Sequence, residues 1–196
     1  MIKAIIFDLN GVFIQSPKLS DRFKEELGVS RRIFMTALNA TLLLARMPHA
    51  PDVYELWKPY LDKWKLNLSR ESFLNFWFNA EGGNKDMIDL AEELKSKGFK
   101  LFILSNNFKE RSEHYAKDFP FFTELFDKIY YSWQTGFLKS NRLAYEIILN
   151  ENKLNPEEVV FFDDTEKNVE LASSLGIQSH IFKSAEDVRE KLNLID

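Results

Sequence analysis

Cysteine is absent from this 196-residue chain. Its absence excludes a disulfide framework, a thiol nucleophile and a zinc site with cysteine ligands, so we expect a reducing compartment, the cytoplasm. No apolar run approaches the roughly 20 residues that a membrane span requires. The first residues form a strand pattern without the basic and long apolar regions of a signal peptide. These features predict a soluble protein with no membrane partner.

An excess of basic residues is also lacking. Lys and Arg number 26 against 30 Asp and Glu, which gives a net charge of −4. A broad nucleic-acid surface is therefore not indicated, although a local basic cleft for a phosphate stays possible. The 18 Phe residues favour core packing over base stacking. We expect no nucleic-acid partner.

Short apolar runs alternate with helical patterns over much of the chain. Two-sided apolar runs, typical of buried parallel strands, occur at Ile2–Phe7, Phe99–Leu104, Lys128–Ser132, Val159–Phe162 and Gln178–Phe182. Helical patterns occur at Lys85–Lys97, Glu110–Phe119, Arg142–Asn150 and Glu166–Leu175. This alternation predicts an α/β fold with a doubly wound, parallel, Rossmann-like sheet.

One segment breaks the alternation. Between about Pro17 and Phe78 no parallel strand is indicated, and helical patterns cover Asp21–Leu27, Arg31–Ala45, Val53–Trp64 and Arg70–Phe78. We interpret 17–79 as an inserted helical cap and 1–16 with 80–196 as the Rossmann-like core. The paired glycines of Asn79–Asn84 disfavour regular structure and favour a hinge there. The other connection between the core and the cap would be Gln15–Lys18.

Polar side chains follow several of the predicted strands. Asp8, Ser105 and the pair Asp163-Asp164 each come directly after an apolar run, and Lys139 lies between the last two. In open α/β sheets, ligands bind beyond the carboxyl ends of the strands. A carboxylate, a hydroxyl, an ammonium and an acidic pair at one sheet edge suit a phosphate and a metal ion.

The order of these residues resembles that of the haloacid dehalogenase-like (HAD) superfamily, specifically its phosphatase-type members with a helical cap after the first motif. The four motifs correspond to Asp8-Leu-Asn-Gly-Val12, Leu104-Ser-Asn106, Gly136-Phe-Leu-Lys139 and Phe162-Asp-Asp-Thr165. Each motif alone is weakly specific. Their order, their strand-end positions and the helical insertion together make the resemblance specific, and it covers essentially the whole chain.

The resemblance implies a catalytic role for Asp8, as the nucleophile that forms an aspartyl-phosphate. Mg²⁺ would be held by Asp8, by the backbone carbonyl of Asn10 and by Asp164, with Asp163 ligating directly or orienting the site. N-capping of the following helix is the alternative role of the acidic pair, although Thr165 is available for that task.

The resemblance also implies how a substrate is held. Ser105 and Lys139 would bind the phosphoryl group, and backbone N–H groups of Leu9 and Asn10 would add donors. Asn106 would extend the site toward the rest of the substrate. Ser140 replaces the Pro that often follows the family lysine, and Lys109, near another strand end, is the alternative ammonium.

Asn10 is the most consequential departure from the family pattern. Hydrolytic members usually carry a second Asp there as general acid and base, whose help is worth roughly 10²–10⁴-fold. An engineered substitution, a naturally slow phosphatase and a protein that binds phosphorylated ligands without turnover all remain open. The function predicted is a Mg²⁺-dependent phosphatase of small phosphorylated metabolites, or alternatively a phospholigand-binding relative.

Other chemistries fit less well. Halide displacement from a 2-haloacid attacks carbon and needs neither magnesium nor the acidic pair. A receiver domain has its acidic pair early and its phosphoacceptor later, the reverse of the order in this chain. A dinucleotide-binding domain is disfavoured because no Gly-x-Gly-x-x-Gly follows a strand.

The cap is expected to choose the substrate by closing over the sheet ends. A cap of about 60 residues suits small compounds such as sugar phosphates, which is an inference from the family. Arg46, His49 and Tyr54 are candidates for the substrate-facing surface, although an ordinary connection between helices explains them equally well. Aromatic residues near the end of the cap, at Phe73, Trp77 and Phe78, predict either a dimer surface or cap core, so the oligomeric state stays open.

Overall fold

A parallel sheet of five strands lies at the centre of the protein. The computed structural model describes residues 1–194, in which the strands are β1 (Ala4–Phe7), β2 (Ile14–Gln15), β3 (Gly82–Gly83), β4 (Lys100–Ser105), β5 (Lys128–Tyr131), β6 (Val159–Asp163) and β7 (Gln178–Ile181). The order in the main sheet is β5-β4-β1-β6-β7, and every neighbouring pair is parallel. Strand β1 therefore occupies the middle of the sheet.

Helices cover both faces of this sheet. They are α1 (Leu19–Leu27), α2 (Arg31–Ala45), α3 (Val53–Lys63), α4 (Arg70–Phe78), α5 (Lys85–Ser96), α6 (Lys109–Asp118), α7 (Phe121–Leu125), α8 (Ser132–Thr135), α9 (Leu143–Asn152), α10 (Glu166–Ser174) and α11 (Ala185–Lys191). Alternate residues of β1 enter two different hydrophobic clusters, Ile5 and Phe7 one, Ala4 and Ile6 the other. The predicted α/β class with a Rossmann-like sheet is confirmed. Within residues 1–194, no helix has both the length and the apolar character required to cross a bilayer.

The register of the sheet brings three strand ends to one edge. Phe7 pairs with Ile103 of β4 on one side and with Phe162 of β6 on the other. The N–H of Asp8 extends this ladder by donating to the carbonyl of Phe162 over 2.8 Å. The residues that end or follow these three strands therefore lie side by side.

Helices α1–α4 enclose an aromatic cluster of their own. Trp57 is fully buried at its centre, within 6 Å, between ring centroids, of Phe23, Phe34 and Phe73. Phe73, Trp77 and Phe78 are buried in the same cluster, as the cap-core interpretation predicts. Phe108, which directly precedes α6, joins them, so apolar packing links the helical segment to the sheet region.

The two stretches of chain that connect the sheet region to the helical segment, one before α1 and one after α4, lie against each other. Strand β2 pairs antiparallel with β3, the glycine pair for which we expected no regular structure. Glycine suits this position because a Cβ on Gly83 would lie 3.1 Å from Cδ1 of Ile88. Asn84 fastens the crossing, since its backbone N–H donates to the carbonyl of Phe13 and its side chain to that of Val12. The division into core and cap at residues 17–79 stays a prediction.

Candidate active site

Asp8 lies at the carboxyl end of the central strand β1. Only 8% of the residue is exposed. Its Oδ1 accepts a hydrogen bond of 2.6 Å from the backbone N–H of Leu9 and contacts Nζ of Lys139. The most central strand of the sheet thus presents a buried, hydrogen-bonded carboxylate at the edge where ligands bind in such folds.

Lys139 links Asp8 to the acidic pair. Its Nζ lies 2.7 Å from Oδ2 of Asp163, and the residue is 2% exposed. Its backbone N–H donates to Oδ1 of Asn106 over 2.9 Å, which ties the lysine loop to the end of β4. Lys109, the alternative ammonium, pairs instead with Glu113, and its side chain is 61% exposed. The structure therefore brings Lys139 to Asp8.

The two acids of the pair have different surroundings. Asp163 is fully buried, and its Oδ1 accepts hydrogen bonds from the backbone N–H of Thr165 and from Nδ2 of Asn168. Asp164 is exposed and accepts a hydrogen bond from the hydroxyl of Thr165. Thr165 is the N-cap of α10, but its side-chain oxygen accepts no capping hydrogen bond from the backbone N–H groups of the helix. Because both oxygens of Asp163 already have donors, Asp164 is the freer ligand.

These acids and Asp8 form a cluster with the composition of a magnesium site. One carboxylate oxygen each of Asp8, Asp163 and Asp164 lies within 4.8 Å of the others. An oxygen-only donor set suits Mg²⁺, which takes one or two carboxylates and retains water. Gly11 lines the same space with φ at +92°, and a Cβ there would lie 2.7 Å from Oδ2 of Asp164. The residues present fit the ion.

The charge balance of the cluster perturbs Asp8. Burial raises the pKa of Asp8 to about 6, and the neighbouring charge of Asp163 adds to the rise, whereas Lys139 opposes it. Two buried carboxylates share a single ammonium, so the pocket carries an excess negative charge. A divalent cation would offset this excess.

Asn10 faces a buried network that the sequence did not indicate. Its Nδ2 donates to the hydroxyl of Tyr115 over 2.6 Å. Arg111, one helical turn earlier on α6, contacts Glu81 with its Nε 2.8 Å from Oε1. The Glu81 side chain is only 1% exposed, and its Oε2 has no hydrogen-bond partner. The spacing of Arg111 and Tyr115 places both on one helix face, but nothing in the sequence links that face to Asn10 or to Glu81.

The remaining predicted residues occupy neighbouring positions. Ser105 ends β4, beside Tyr131 of β5, and is 1% exposed. Among the cap candidates, Tyr54 donates its hydroxyl to the carbonyl of Leu68 within the helical segment. Arg46 lies close enough to Asp8 and Arg111 for their charges to act on its pKa. The roles assigned to these side chains remain predictions.

Comparison with known proteins gives relatives of more than one activity. Bifunctional epoxide hydrolase 2 of Sus scrofa is 24% identical, over 99% of this chain and 39% of that enzyme. The chain thus spans about two fifths of the length of this curated relative.

Solved structures show the same fold in enzymes with different names. The HAD family enzyme bt-2542 from Bacteroides thetaiotaomicron, in complex with magnesium and inorganic phosphate, superposes with a TM-score of 0.80 at 21% identity, covering 94% of this chain and 96% of its own. The L-2-haloacid dehalogenase RSc1362 superposes with a TM-score of 0.75 at 13% identity, covering 98% and 99%. The fold alone does not separate these chemistries.

A family-level match covers most of the chain. The profile of the haloacid dehalogenase-like hydrolases matches residues 2–176. This range includes Asp8, Ser105, Lys139 and the Asp163-Asp164 pair, which the structure brings to one edge of the sheet. The chain therefore belongs to the haloacid dehalogenase-like hydrolase family.

Proposed function

We propose that this protein is a Mg²⁺-dependent phosphatase of small phosphorylated metabolites that acts through an aspartyl-phosphate on Asp8. One observation carries the proposal: the Asp8 carboxylate shares Lys139 with Asp163 and lies within 4.8 Å of the Asp163-Asp164 pair. A nucleophile, a cation for the phosphoryl group and acids for a metal ion are thus combined in one pocket.

Asp8 supplies the nucleophile. A pKa of about 6 leaves the carboxylate mostly ionised at neutral pH. One carboxylate oxygen attacks phosphorus, an O–P bond forms to the enzyme, and the bond from phosphorus to the substrate oxygen breaks. Water then cleaves the mixed anhydride, which releases inorganic phosphate and regenerates Asp8.

The other residues of the pocket bind and orient the phosphoryl group. Lys139 neutralises its charge, Ser105 donates its hydroxyl, and the backbone N–H groups that follow Asp8 add donors. Asn106 positions Lys139 through the bond to its backbone N–H and borders the substrate. A preorganised set of donors of this kind stabilises the charge that develops in phosphoryl transfer.

Mg²⁺ would be held by Asp8, by the backbone carbonyl of Asn10 and by Asp164. When bound, it would reduce the repulsion between an anionic substrate and the anionic nucleophile. Asp163, whose oxygens accept bonds from Thr165, Asn168 and Lys139, orients the site. This donor set supports phosphoryl transfer over halide displacement, which has no use for the acidic pair.

Asn10 limits the rate of this chemistry. Its amide cannot exchange a proton at neutral pH, so the leaving oxygen draws its proton from solvent, and the general acid–base help worth roughly 10²–10⁴-fold is lost. Its Nδ2 is already committed to the Tyr115 hydroxyl. We expect slow turnover and a long-lived aspartyl-phosphate. A protein that binds phosphorylated ligands without hydrolysis is the second candidate, and Asn10 is the observation that favours it.

Phosphate release from a panel of phosphorylated metabolites, sugar phosphates included, tests this function. The parent chain, Asn10→Asp and Asp8→Asn are each assayed with Mg²⁺ and with EDTA. The proposal predicts slow release by the parent, faster release by Asn10→Asp, and none from Asp8→Asn or in EDTA. If no compound releases phosphate with either the parent or a folded Asn10→Asp, the binding-protein alternative replaces the phosphatase.

A further inference from the structure

The side-chain amide of Asn10 is anchored at its nitrogen end. Its Nδ2 donates to the hydroxyl of Tyr115 over 2.6 Å. No donor of residues 1–194 bonds to its Oδ1, and the residue is half-buried rather than enclosed. Along the chain it lies between Asp8 and Gly11, both of which line the pocket. The free end of the amide is therefore its oxygen, beside the pocket.

Tyr115 is a rigid anchor for this amide. It is fully buried, and its ring centroid lies 5.8 Å from that of Phe119. The guanidinium of Arg111 lies 5.5 Å from the same centroid and is itself held by the buried carboxylate of Glu81. Because the ring is packed on several sides, the hydroxyl cannot follow a movement of Asn10. The hydroxyl therefore sets the position of the amide.

The direction of the bond between Asn10 and Tyr115 follows from the neighbouring carboxylate. A hydroxyl has one proton to donate, whereas a carboxylate only accepts. Burial raises the pKa of Tyr115 and the charge of Glu81 adds to the rise, whereas Arg111 opposes it, so the hydroxyl stays protonated at neutral pH. With its proton turned toward Glu81, the hydroxyl offers Asn10 an acceptor. That arrangement selects Nδ2 rather than Oδ1 as the end that faces Tyr115.

The same three residue types meet at a second place in the molecule. Tyr130 of β5 donates its hydroxyl to Oε2 of Glu151 over 2.8 Å and accepts from Nδ2 of Asn152 over 2.9 Å. The carboxylate takes the hydroxyl proton, and the amide nitrogen bonds to the hydroxyl oxygen. This trio lies on the edge strand of the sheet. It shows the same pattern of bonds and provides a matched control.

We propose that Tyr115 is a positioning residue that holds the Asn10 amide with its oxygen toward the pocket, where this oxygen orients the water that hydrolyses the aspartyl-phosphate. This inference rests on the proposed phosphatase function. The water oxygen bonds to phosphorus, the bond from phosphorus to the Asp8 oxygen breaks, and the water proton passes to solvent, because an amide oxygen accepts a hydrogen bond without taking the proton. An amide nitrogen at the same place would instead donate to phosphoryl oxygens and retain the phosphate. Tyr115 thus favours hydrolysis over retention.

Equilibrium binding of inorganic phosphate with Mg²⁺ tests the orientation of the amide without requiring turnover. Tyr115→Phe frees the amide to turn its nitrogen toward the pocket, so this variant should bind phosphate about 3- to 10-fold more tightly than the parent, the range of one hydrogen bond. The gain should vanish when Tyr115→Phe is combined with Asn10→Ala, which leaves no amide to release. Tyr130→Phe, the matched control, should stay within about twofold of the parent. Weaker or unchanged binding by a folded Tyr115→Phe, or an equal gain with Asn10→Ala, would overturn the positioning role.

Decay of a preformed aspartyl-phosphate tests the role of the water. Acetyl phosphate, whose leaving group needs no proton, phosphorylates each variant with Mg²⁺, and the phosphate on the protein is followed after the donor is removed. Tyr115→Phe should slow the decay about 3- to 10-fold and change the rate of formation less than about twofold, with no further slowing in Asn10→Ala. Equal slowing of formation and decay would overturn the positioning role.

The two measurements separate a failed phosphatase from a failed positioning residue. If no variant forms an aspartyl-phosphate, the phosphatase and the oriented water are both overturned, whereas tighter phosphate binding that depends on Asn10 would retain the orientation set by Tyr115. If the aspartyl-phosphate forms and its decay is insensitive to Tyr115→Phe, the phosphatase stands and the positioning role is overturned. Phosphate binding by none of the variants would overturn both. Each variant is checked for a normal unfolding transition.

Discussion

Replacing Asp8 by Asn should stabilise the metal-free protein, although it removes the proposed nucleophile. The carboxylates of Asp8 and Asp163 share one ammonium, that of Lys139. Burial, as the main cause, raises the pKa of Asp8 from 3.8 to about 6. Since each pKa unit corresponds to about 1.4 kcal/mol, the ionised Asp8 costs about 3 kcal/mol of the free energy of unfolding.

The direction in which the free energy of unfolding changes with pH depends on whether the folded or the unfolded chain binds the proton of Asp8. Below pH 3.8 the carboxyl is protonated in both the folded and the unfolded chain, so it costs nothing. Between pH 3.8 and 6 only the folded chain keeps the proton, and the free energy of unfolding falls as pH rises. Above pH 6 the full cost is present. Asp8→Asn removes this cost, so its gain should be about 3 kcal/mol at pH 7.5 and close to zero near pH 4.

Urea denaturation in EDTA at several pH values between 4 and 8 measures this difference. Asp164→Asn is the matched control, because Asp164 belongs to the same acidic cluster but is exposed, and its effect should stay within about 0.5 kcal/mol. A gain for Asp8→Asn that is absent at pH 7.5, or that is equally large at pH 4, would refute the electrostatic reasoning.

Three further substitutions probe the pocket and its support. Gly11→Ala should lower the free energy of unfolding by about 1–3 kcal/mol and weaken Mg²⁺ binding, because φ is +92° and the new Cβ would lie 2.7 Å from Oδ2 of Asp164. Unchanged thermal unfolding and an unchanged Mg²⁺ titration would show instead that the backbone relaxes without cost. Lys139→Met should lower the free energy of unfolding by about 3–5 kcal/mol at neutral pH, because it leaves two buried carboxylates without their ammonium partner. It should also abolish phosphate release. A loss of stability that does not shrink toward pH 4 would contradict this reasoning. Tyr115→Phe should lower the free energy of unfolding, measured by urea denaturation, by about 1–2 kcal/mol because Asn10 loses a buried hydrogen bond. A stability equal to that of the parent chain would contradict this.

The centre of the sheet was predictable because β1, β4 and β6 are short, apolar on both faces and bounded by polar residues. The carboxyl ends fell within one residue of their observed positions for β1, β4, β5, β6 and β7, whereas β1 and β4 begin later than the apolar runs suggested. The β2–β3 pair could not be predicted, because Gly82 and Gly83 have no β propensity of their own. Their pairing depends on the two chain crossings meeting in space, which no local pattern records.

The positions of the site residues were predictable only where a polar side chain lies at the carboxyl end of a predicted strand. Asp8 and the acidic pair occupy such positions, and parallel strands necessarily bring their ends together. The contact of Lys139 with Asp8, rather than that of Lys109, depends on the tether from Asn106, which is a tertiary contact. Glu81, Arg111 and Tyr115 were missed for the same reason. Their sequence positions are ordinary for a chain crossing and for a surface helix, and only the fold makes them neighbours of Asn10.

The most direct test of the central claim is chemical trapping of the phosphoryl group on Asp8. The parent chain is incubated with Mg²⁺ and a substrate found in the panel, quenched in acid, reduced with borohydride and digested for peptide mass analysis. The account predicts that the residue at position 8 is converted to homoserine, and that EDTA or Asp8→Asn prevents this. Phosphate release without modification at position 8, or with modification at another carboxylate, would contradict it.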